Sequence, residues 1–397
     1  MEPIIFHIDV NSAFLSWTSI ELLKNGETID LRTIPSVIGH DDKNHRGVVL
    51  AKSIPAKAYH IKTGEPMTSA FRKCPNLVVR NPDHKMYQEY SKKLMDYLYE
   101  LTPDLEQLSI DECFLDFTGI SHLYPSYMEG AKTIQKGIYD QLGFTVNIGI
   151  SNNKLLAKMA SDFEKPYKIH TLFPSEVEKK MWPLPVSDLY MAGRASVETL
   201  KNLEIFTIGD LAQADPKILE LHLKSHGRTL WKYANGIASS TVNSHPLELK
   251  GIGNSTTVPK DITTFEEAKP VLRSLAETVS QRLRKADQLA GNICVEIKYS
   301  TFTTASHQIQ LKIPTNTNDN IYQIACHLFL KLWDKTPVRL LGIRSNKLIS
   351  MDEPVQLSLF DMELKKDKKQ ENLDHALDHI RGKFGHDSII RGSLFHK

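Results

Sequence analysis

Apolar positions along the chain follow two rhythms, and the switches between them outline its elements. Residues 4–10, IIFHIDV, form an apolar run interrupted by His7 and by Asp9, which predicts a buried strand ending at Asp9. From Ser12 to Leu23 the apolar residues fall at helical spacing, and Asn25-Gly26 supplies the stop. Helical periodicity returns over 84–101, closing before Pro103, and again over 128–142. It recurs in KLLAKMASDF, with Ser151-Asn152 as the expected cap. Between these lie LEQLSIDECFLDF, two strand-like runs joined at Asp111-Glu112, and the strand FTVNIGIS at 144–151. The order strand–helix–strand–strand–helix–strand predicts a ferredoxin-like antiparallel sheet with helices on one face.

Residues 25–83 interrupt that order with short apolar runs, several Pro and Gly and a basic balance, the texture of a small inserted domain. Residues 173–240 read as helical, with two short helices around Gly193 and a turn at Gly209-Asp210. A polar linker at 241–249 leads to a separate α+β unit over 250–350. Its strands are expected in NICVEIKYST, SHQIQLKIP and VRLLGIRSNKL, and its helices over about 264–288 and 318–334. From 351 the chain carries QLSLF, a mixed-charge run, and the amphipathic stretch LDHALDHIRGKF at 373–384, to which no role is assigned. The predicted fold class is α+β with several domains.

Composition narrows the function classes. A length of 397 residues implies roughly two to four domains. No apolar run is long enough to cross a membrane, and the opening residues lack the basic region and long apolar stretch of a secretory leader. The four cysteines are scattered without metal spacing, so a reduced, cytoplasmic protein without structural zinc is expected. Net charge is +2, but its distribution is uneven: residues 250–350 hold 14 Lys and Arg against 8 Asp and Glu. Residues 25–83 are also basic, and the segments 1–24 and 84–172 are acidic. An acidic centre between basic wings suits a protein that binds metal in the middle and a polyanion around it; ordinary variation of solvated charge gives the same sums.

The candidate chemistry lies in three acids. A single Asp at a strand end is usually a cap, but Asp111 and Glu112 are adjacent between two apolar strands, where a multivalent cation offsets their repulsion and desolvation. In a ferredoxin-like sheet the strand ending at Asp9 lies beside the hairpin carrying that pair. Oxygen ligands without His or Cys select Mg²⁺ or Mn²⁺. Two such ions can clamp the attacking and leaving oxygens of a phosphoryl group. Asp116 is read as structural.

HIDVNSAF followed by SIDECFLD resembles the two acidic motifs of the Y-family DNA polymerases, the translesion enzymes of the DinB and UmuC type. AKSIPAKAYHIKTGEPM, NIGISNNKLLAKMASDFEKP and LSLFD extend the likeness over nearly the whole chain. The resemblance implies a palm at 1–24 and 84–172, fingers at 25–83, a thumb at 173–240, a little finger at 250–350 and a tail at 351–397. It implies an error-prone DNA-directed DNA polymerase acting as a monomer with two Mg²⁺ ions, primer–template DNA and dNTPs. Asp9, Asp111 and Glu112 match the catalytic metal ligands, with the Val10 carbonyl completing one set. Phe14 matches the aromatic gate that excludes a 2′-hydroxyl, and Lys57 and Lys165 match triphosphate contacts. DNA contacts are expected from Gly193 in a helix-hairpin-helix and from Arg282, Arg284, Arg339 and Arg344 in the basic unit. Gln356, Leu357, Leu359 and Phe360 match the bacterial sliding-clamp peptide.

The chain also departs from the pattern. Asn11 stands where many DinB-type members have Asp, and Ile54 stands where a triphosphate-contacting Tyr is common, leaving that bond absent or supplied by Ser53. Lys57 replaces the more frequent Arg, and Met191-Ala192-Gly193 lacks the first glycine of the thumb hairpin. These departures lean toward the UmuC-like side. A nucleotidyl cyclase shares the two-metal palm but needs no DNA grip.

Overall fold

The computed structural model describes residues 2–40, 47–245, 249–353, 368–385, 388–390 and 392. The chain divides into two units, 1–246 and 247–397.

In the first unit, β1 (Ile5–Val10) is followed by α1 (Ala13–Lys24). Residues 25–83 then supply β2 (Ser36–Ile38), β3 (Ala51–Lys52), α2 (Ile54–Ala58), α3 (Met67–Lys73) and β4 (Val78–Arg80). The chain continues through α4 (His84–Tyr99), β5 (Leu105–Gln107), β6 (Glu112–Asp116), α5 (Tyr127–Leu142), β7 (Val146–Ser151), α6 (Lys154–Asp162) and β8 (Ile169–Thr171). Among the described residues, α7 (Val177–Lys180), α8 (Arg194–Asn202), α9 (Ile208–Gln213), α10 (Pro216–Leu223) and α11 (Ser225–Ala234) follow.

The large sheet runs β5-β6-β1-β7-β8, with β1 antiparallel to both neighbours. This is the expected ferredoxin-like order, extended at one edge by β8, too short at three residues to announce itself by alternation. One expectation changes: helices cover both faces. Phe6, Ile8 and Val10 point into a core shared with α1, α4 and α5, while Ile5 meets Ala157 of α6 on the other side. A strand buried on both faces reads as a continuous apolar run, which is why β1 hides its two-sidedness. Gly149 makes the second face possible, since a Cβ there would lie 1.9 Å from the Ala157 carbonyl oxygen. Capping places the helices: Asp83, Ser126 and Asn153 accept first-turn N–H bonds, the last one residue later than expected for α6.

Residues 25–83 form the three-stranded sheet β3-β2-β4 over its own core of Val37, Val49, Ile61, Met67 and Leu77. In the helical segment, α8 starts at Gly193 as expected. Met191 adopts φ +70°, the left-handed backbone that the missing glycine would have taken without steric cost. The turn expected at Gly209-Asp210 is instead the first turn of α9. There the Thr207 hydroxyl and the Asp210 carboxylate cap one another's backbone, and this outweighs the glycine.

The second unit comprises β9 (Ile252–Ile262), α12 (Phe265–Lys285), β10 (Gln288–Tyr299), β11 (Thr304–Thr315), α13 (Asn318–Leu332), β12 (Val338–Ser345), β13 (Leu348–Ser350) and α14 (Lys368–Phe384). Its sheet runs β11-β10-β12-β9. α12 and α13 cover the face lined by Ile293, Val295, Ile297, Leu341 and Ile343. β9 escapes sequence reading because it is an edge strand with few apolar residues and contains Pro259. α14 corresponds to the amphipathic stretch without an assigned role, and it is pinned by buried charge. Asp374 accepts from the Asn318 backbone N–H at the start of α13, Arg284 pairs with Asp378, and Arg381 pairs with Glu277.

Candidate active site

Strand register brings the acids together. Asp9 of β1 is paired with Glu112 of β6, and the Val10 N–H donates to the Asp111 carbonyl at 3.0 Å. Because side chains alternate along β1, Asp9 shares a face with His7, the face covered by α6. That placement supplies partners that periodicity could not name. Glu112 Oε2 accepts from Lys158 Nζ of α6 at 2.5 Å and lies 3.2 Å from Nε2 of the fully buried His7. His7 Nδ1 in turn lies 2.8 Å from the Ser161 hydroxyl. His7 and then Lys158 hold the Glu112 carboxyl down at about 2. Burial pushes Asp9 the other way, above its ordinary value, with Lys165 opposing from 3.0 Å. Burial also lowers the His7 pKa, with Glu112 opposing.

Asp9, Val10 and Asp111 open on a cavity of about 370 Å³ whose far walls carry Phe14, Lys57 and Lys165. Lys52, which the sequence did not single out, lines it too; burial lowers its pKa, and its ammonium donates to the Ile61 carbonyl. Three lysines facing one cavity suit a polyphosphate. The N-terminus of α1 opens there as well: its cap residue Ser12 has φ +49° and no side-chain cap bond. Such an end presents backbone N–H groups to an anion. Phe14 is held flat against the buried Tyr87, ring centroids 4.3 Å apart at 5°, with His84 edge-on to both. The Tyr87 hydroxyl meets Thr18, which fixes the supporting ring.

Among the described residues, no group of three or more His, Cys, Asp and Glu side chains is gathered closely enough to hold a metal ion. Glu112 faces His7 and Lys158, and Asp111 accepts from the Ser109 hydroxyl at 2.7 Å. The donor set still fits a hard divalent cation. Asp9, Asp111 and the Val10 carbonyl offer oxygen only, and desolvated Asp9 gains from a compensating positive charge.

Other expectations fare unevenly. Ser53 cannot replace the missing tyrosine: it is buried, accepts from Ser36 and Ala56 N–H groups and donates to the Ile34 carbonyl. Asp116 caps the Thr118 N–H, as a structural residue would. Arg284, expected at the surface, is no surface contact: its side chain is 4% exposed and spent on Asp378, Asp374 and the Asn316 carbonyl. Arg282 is exposed and donates to the Gly253 carbonyl. Arg339 pairs with Asp261, and Arg344 lies 3.7 Å from Glu296 on the sheet face opposite α12 and α13. Gln356, Leu357, Leu359 and Phe360 lie outside the described residues.

The fold and this pocket define a multidomain α+β enzyme with a ferredoxin-like catalytic sheet. Residues 8–162 match the model of the impB/mucB/samB family, and residues 249–359 match that family's C-terminal domain. The chain is 47% identical over 397 residues to a DNA polymerase IV of Clostridium acetobutylicum, covering 100% of this chain and 99% of the relative. It is 36% identical to a DNA polymerase IV 1 of Bacillus subtilis, covering 99% and 94%. A solved Y-family DNA polymerase chimera shares the fold with a TM-score of 0.76 at 22% identity, covering 87% of this chain and 99% of the other. The chain belongs to the impB/mucB/samB family of Y-family DNA polymerases, and it is a DNA-directed DNA polymerase. The relatives support the DinB type, against the UmuC-like lean of Asn11, Ile54 and Lys57.

Proposed function

We propose that this polymerase extends primers across damaged templates, with low fidelity, by two-metal nucleotidyl transfer at Asp9, Asp111 and Glu112. The observation that carries the reading is the cavity that Asp9 and Asp111 share with Phe14, Lys57 and Lys165, with Glu112 the register partner of Asp9. The segments take the parts that the family resemblance implies, with 1–24 and 84–172 as palm, 25–83 as fingers, 173–240 as thumb and 250–350 as little finger.

Asp9, Asp111, the Val10 carbonyl and Glu112 would hold two Mg²⁺ ions, with Mn²⁺ as a substitute. Bound there, the ions supply Lewis-acid activation of the primer hydroxyl and charge on the triphosphate. The primer 3′-oxygen forms its bond to the α-phosphorus as the bond to pyrophosphate breaks. Lys52, Lys57, Lys165 and the α1 N-terminus neutralise charge that grows on the leaving group. Phe14, backed by Tyr87, gives a 2′-hydroxyl neither room nor a partner. In the second unit, the open sheet face around Arg344, with Arg282 and Arg339, suits phosphate contacts that read no sequence; in the first, the α8 N-terminus at Gly193 does so by itself. Gln356–Phe360 fits a sliding-clamp peptide, and the enzyme would act as a cytoplasmic monomer.

Primer extension on undamaged and damaged templates with Mg²⁺ and dNTPs tests the reading. Template-directed extension past a lesion is expected, and no extension would sink it. Replacing Leu359 and Phe360 by Ala should remove stimulation by a sliding clamp while sparing clamp-independent synthesis.

A further inference from the structure

Lys165 sits in the irregular stretch 163–168 between α6 and β8, where neither helix nor strand fixes the backbone. Two buried carboxamides do so instead. Asn147 of β7, fully buried, donates to the Ser161 carbonyl at 3.0 Å and the Glu164 carbonyl at 2.7 Å. Its oxygen accepts from the Lys168 N–H at 3.2 Å and from the Asn11 amide at 3.0 Å. The Asn11 oxygen then accepts from the Tyr167 N–H at 3.0 Å. Backbone groups on both sides of Lys165 are thereby bound to side chains at the end of β1 and beside it on β7, where Asn147 is the register partner of Asp9. The Lys165 ammonium reaches Asp9 at 3.0 Å and Asp162 at 2.8 Å.

We propose that Asn11 and Asn147 are positioning residues that aim Lys165 into the nucleotide cavity. The inference rests on reading Lys165 as a triphosphate contact. It also gives the departure at position 11 a physical reason. Asn147 spends both donors on carbonyls, so the group of residue 11 that meets its oxygen has to be a donor. An Asp there would keep the bond from Tyr167 but turn a carboxylate oxygen on the Asn147 oxygen. Rotating the Asn147 amide to escape would orphan two carbonyls. Asn11 and Asn147 form one interlocked pair, in which Asn at 11 matches the residue at 147.

The test is single-nucleotide incorporation of dTTP opposite a template dA by the full chain. The variants are Asn11→Asp, Asn147→Ala, Lys165→Ala and the double variant Asn11→Asp/Lys165→Ala. Asn11→Asp and Asn147→Ala are each expected to raise KM for dTTP about tenfold with kcat within about threefold, the loss of one or two aimed hydrogen bonds. Affinity for primer–template should be unchanged. In the Lys165→Ala background, Asn11→Asp should add little, because its effect runs through the missing ammonium. Independent, additive losses, or a fall in kcat at unchanged KM, would overturn the positioning role. An unchanged KM in Lys165→Ala would instead overturn the triphosphate reading and the inference with it. If Asn147→Ala fails to fold, Asn11→Asp decides the matter alone, because Asn11 lies at the strand end and its variant retains the Tyr167 bond.

Discussion

Both units bury ion pairs, and they bury them differently. At the large sheet of the first unit, Asp9 and Glu112 are partnered by lysines whose side chains stay 28% and 13% exposed. Under α14, Arg284 and Arg381 are 4% and 5% exposed, and their partners Asp374 and Glu277 are 0% and 4% exposed. Lysine presents one point charge on a flexible stem, which can leave a carboxylate for another partner at little cost. Arginine binds through a planar fork and holds several acceptors at once, here Asp378 together with the Asn316 carbonyl. The contrast separates a polar cluster arranged to exchange partners from one arranged to keep them. The first would serve the proposed chemistry, and the second fastens a helix.

Removing charge from the exchangeable cluster should therefore abolish activity before it harms the fold. Asp9→Asn and Glu112→Gln are each expected to lower the primer-extension rate by about 10³-fold or more. Asp9→Asn should keep a urea midpoint at or above wild type, and Glu112→Gln should lower it without unfolding the protein; if activity fell only in step with stability, the two clusters would not differ in kind.

The fastening cluster should behave in the opposite way. Arg381→Ala leaves Glu277 buried without its guanidinium and should destabilise the second unit by about 3 kcal/mol in urea unfolding. The paired apolar replacement Glu277→Leu/Arg381→Met should restore most of that stability. Failure of the double variant to recover would show that the pair does more than hold α14 down.

A third prediction concerns rigidity at the cavity wall. Phe14→Ala should admit ribonucleotides, whereas Tyr87→Leu keeps the gate but removes the stacked ring behind it. A stacked aromatic pair contributes about 1 kcal/mol beyond its buried area, so discrimination against rNTPs should fall severalfold in Tyr87→Leu and much further in Phe14→Ala. Equal sugar selectivity in Tyr87→Leu and wild type would remove Tyr87 from that role.

The smallest effect is on pH dependence. The Glu112 carboxyl is lowered from 4.5 to about 2, so its stabilising contribution is complete above about 4.5 and is lost as the pH falls toward 2. Asp9 has the opposite sign: its raised pKa means that the charged form is disfavoured, and protonation on acidification relieves that cost. Glu112→Gln should flatten the acid side of the stability curve between pH 5 and about 3, and Asp9→Asn should steepen it. Parallel curves for both variants would contradict the opposed environments of the two acids.

Much of the molecule is legible without coordinates, because the information is local. Apolar spacing located β1, α1, α4, α5 and β7 within a few residues, and two motifs marked the strand ends where Asp9, Asp111 and Glu112 meet. Local rules failed where a neighbour overrode them: Gly209-Asp210 became helix because Thr207 caps it, and Ser151-Asn152 yielded to Asn153. β9 and β8 were missed because an edge strand or a three-residue strand carries little periodic signal.

Chain order alone sets which side chains exist and how they alternate: His7 and Asp9 share a face, and Asp111 and Glu112 fall where two strand-like runs join. Only the tertiary structure decided what meets them. That α6 covers the Asp9 face and carries Lys158 to Glu112, that Tyr87 lies under Phe14, and that Asn147 receives Asn11 all depend on contacts between residues far apart in sequence. Arg284 was misread for the same reason. Its residue type suggested an exposed phosphate contact, but its burial depends on a helix that begins 84 residues later and brings the carboxylates that neutralise it. Periodicity shows which face of an element is apolar, whereas the identity of its partner depends on packing across the whole chain.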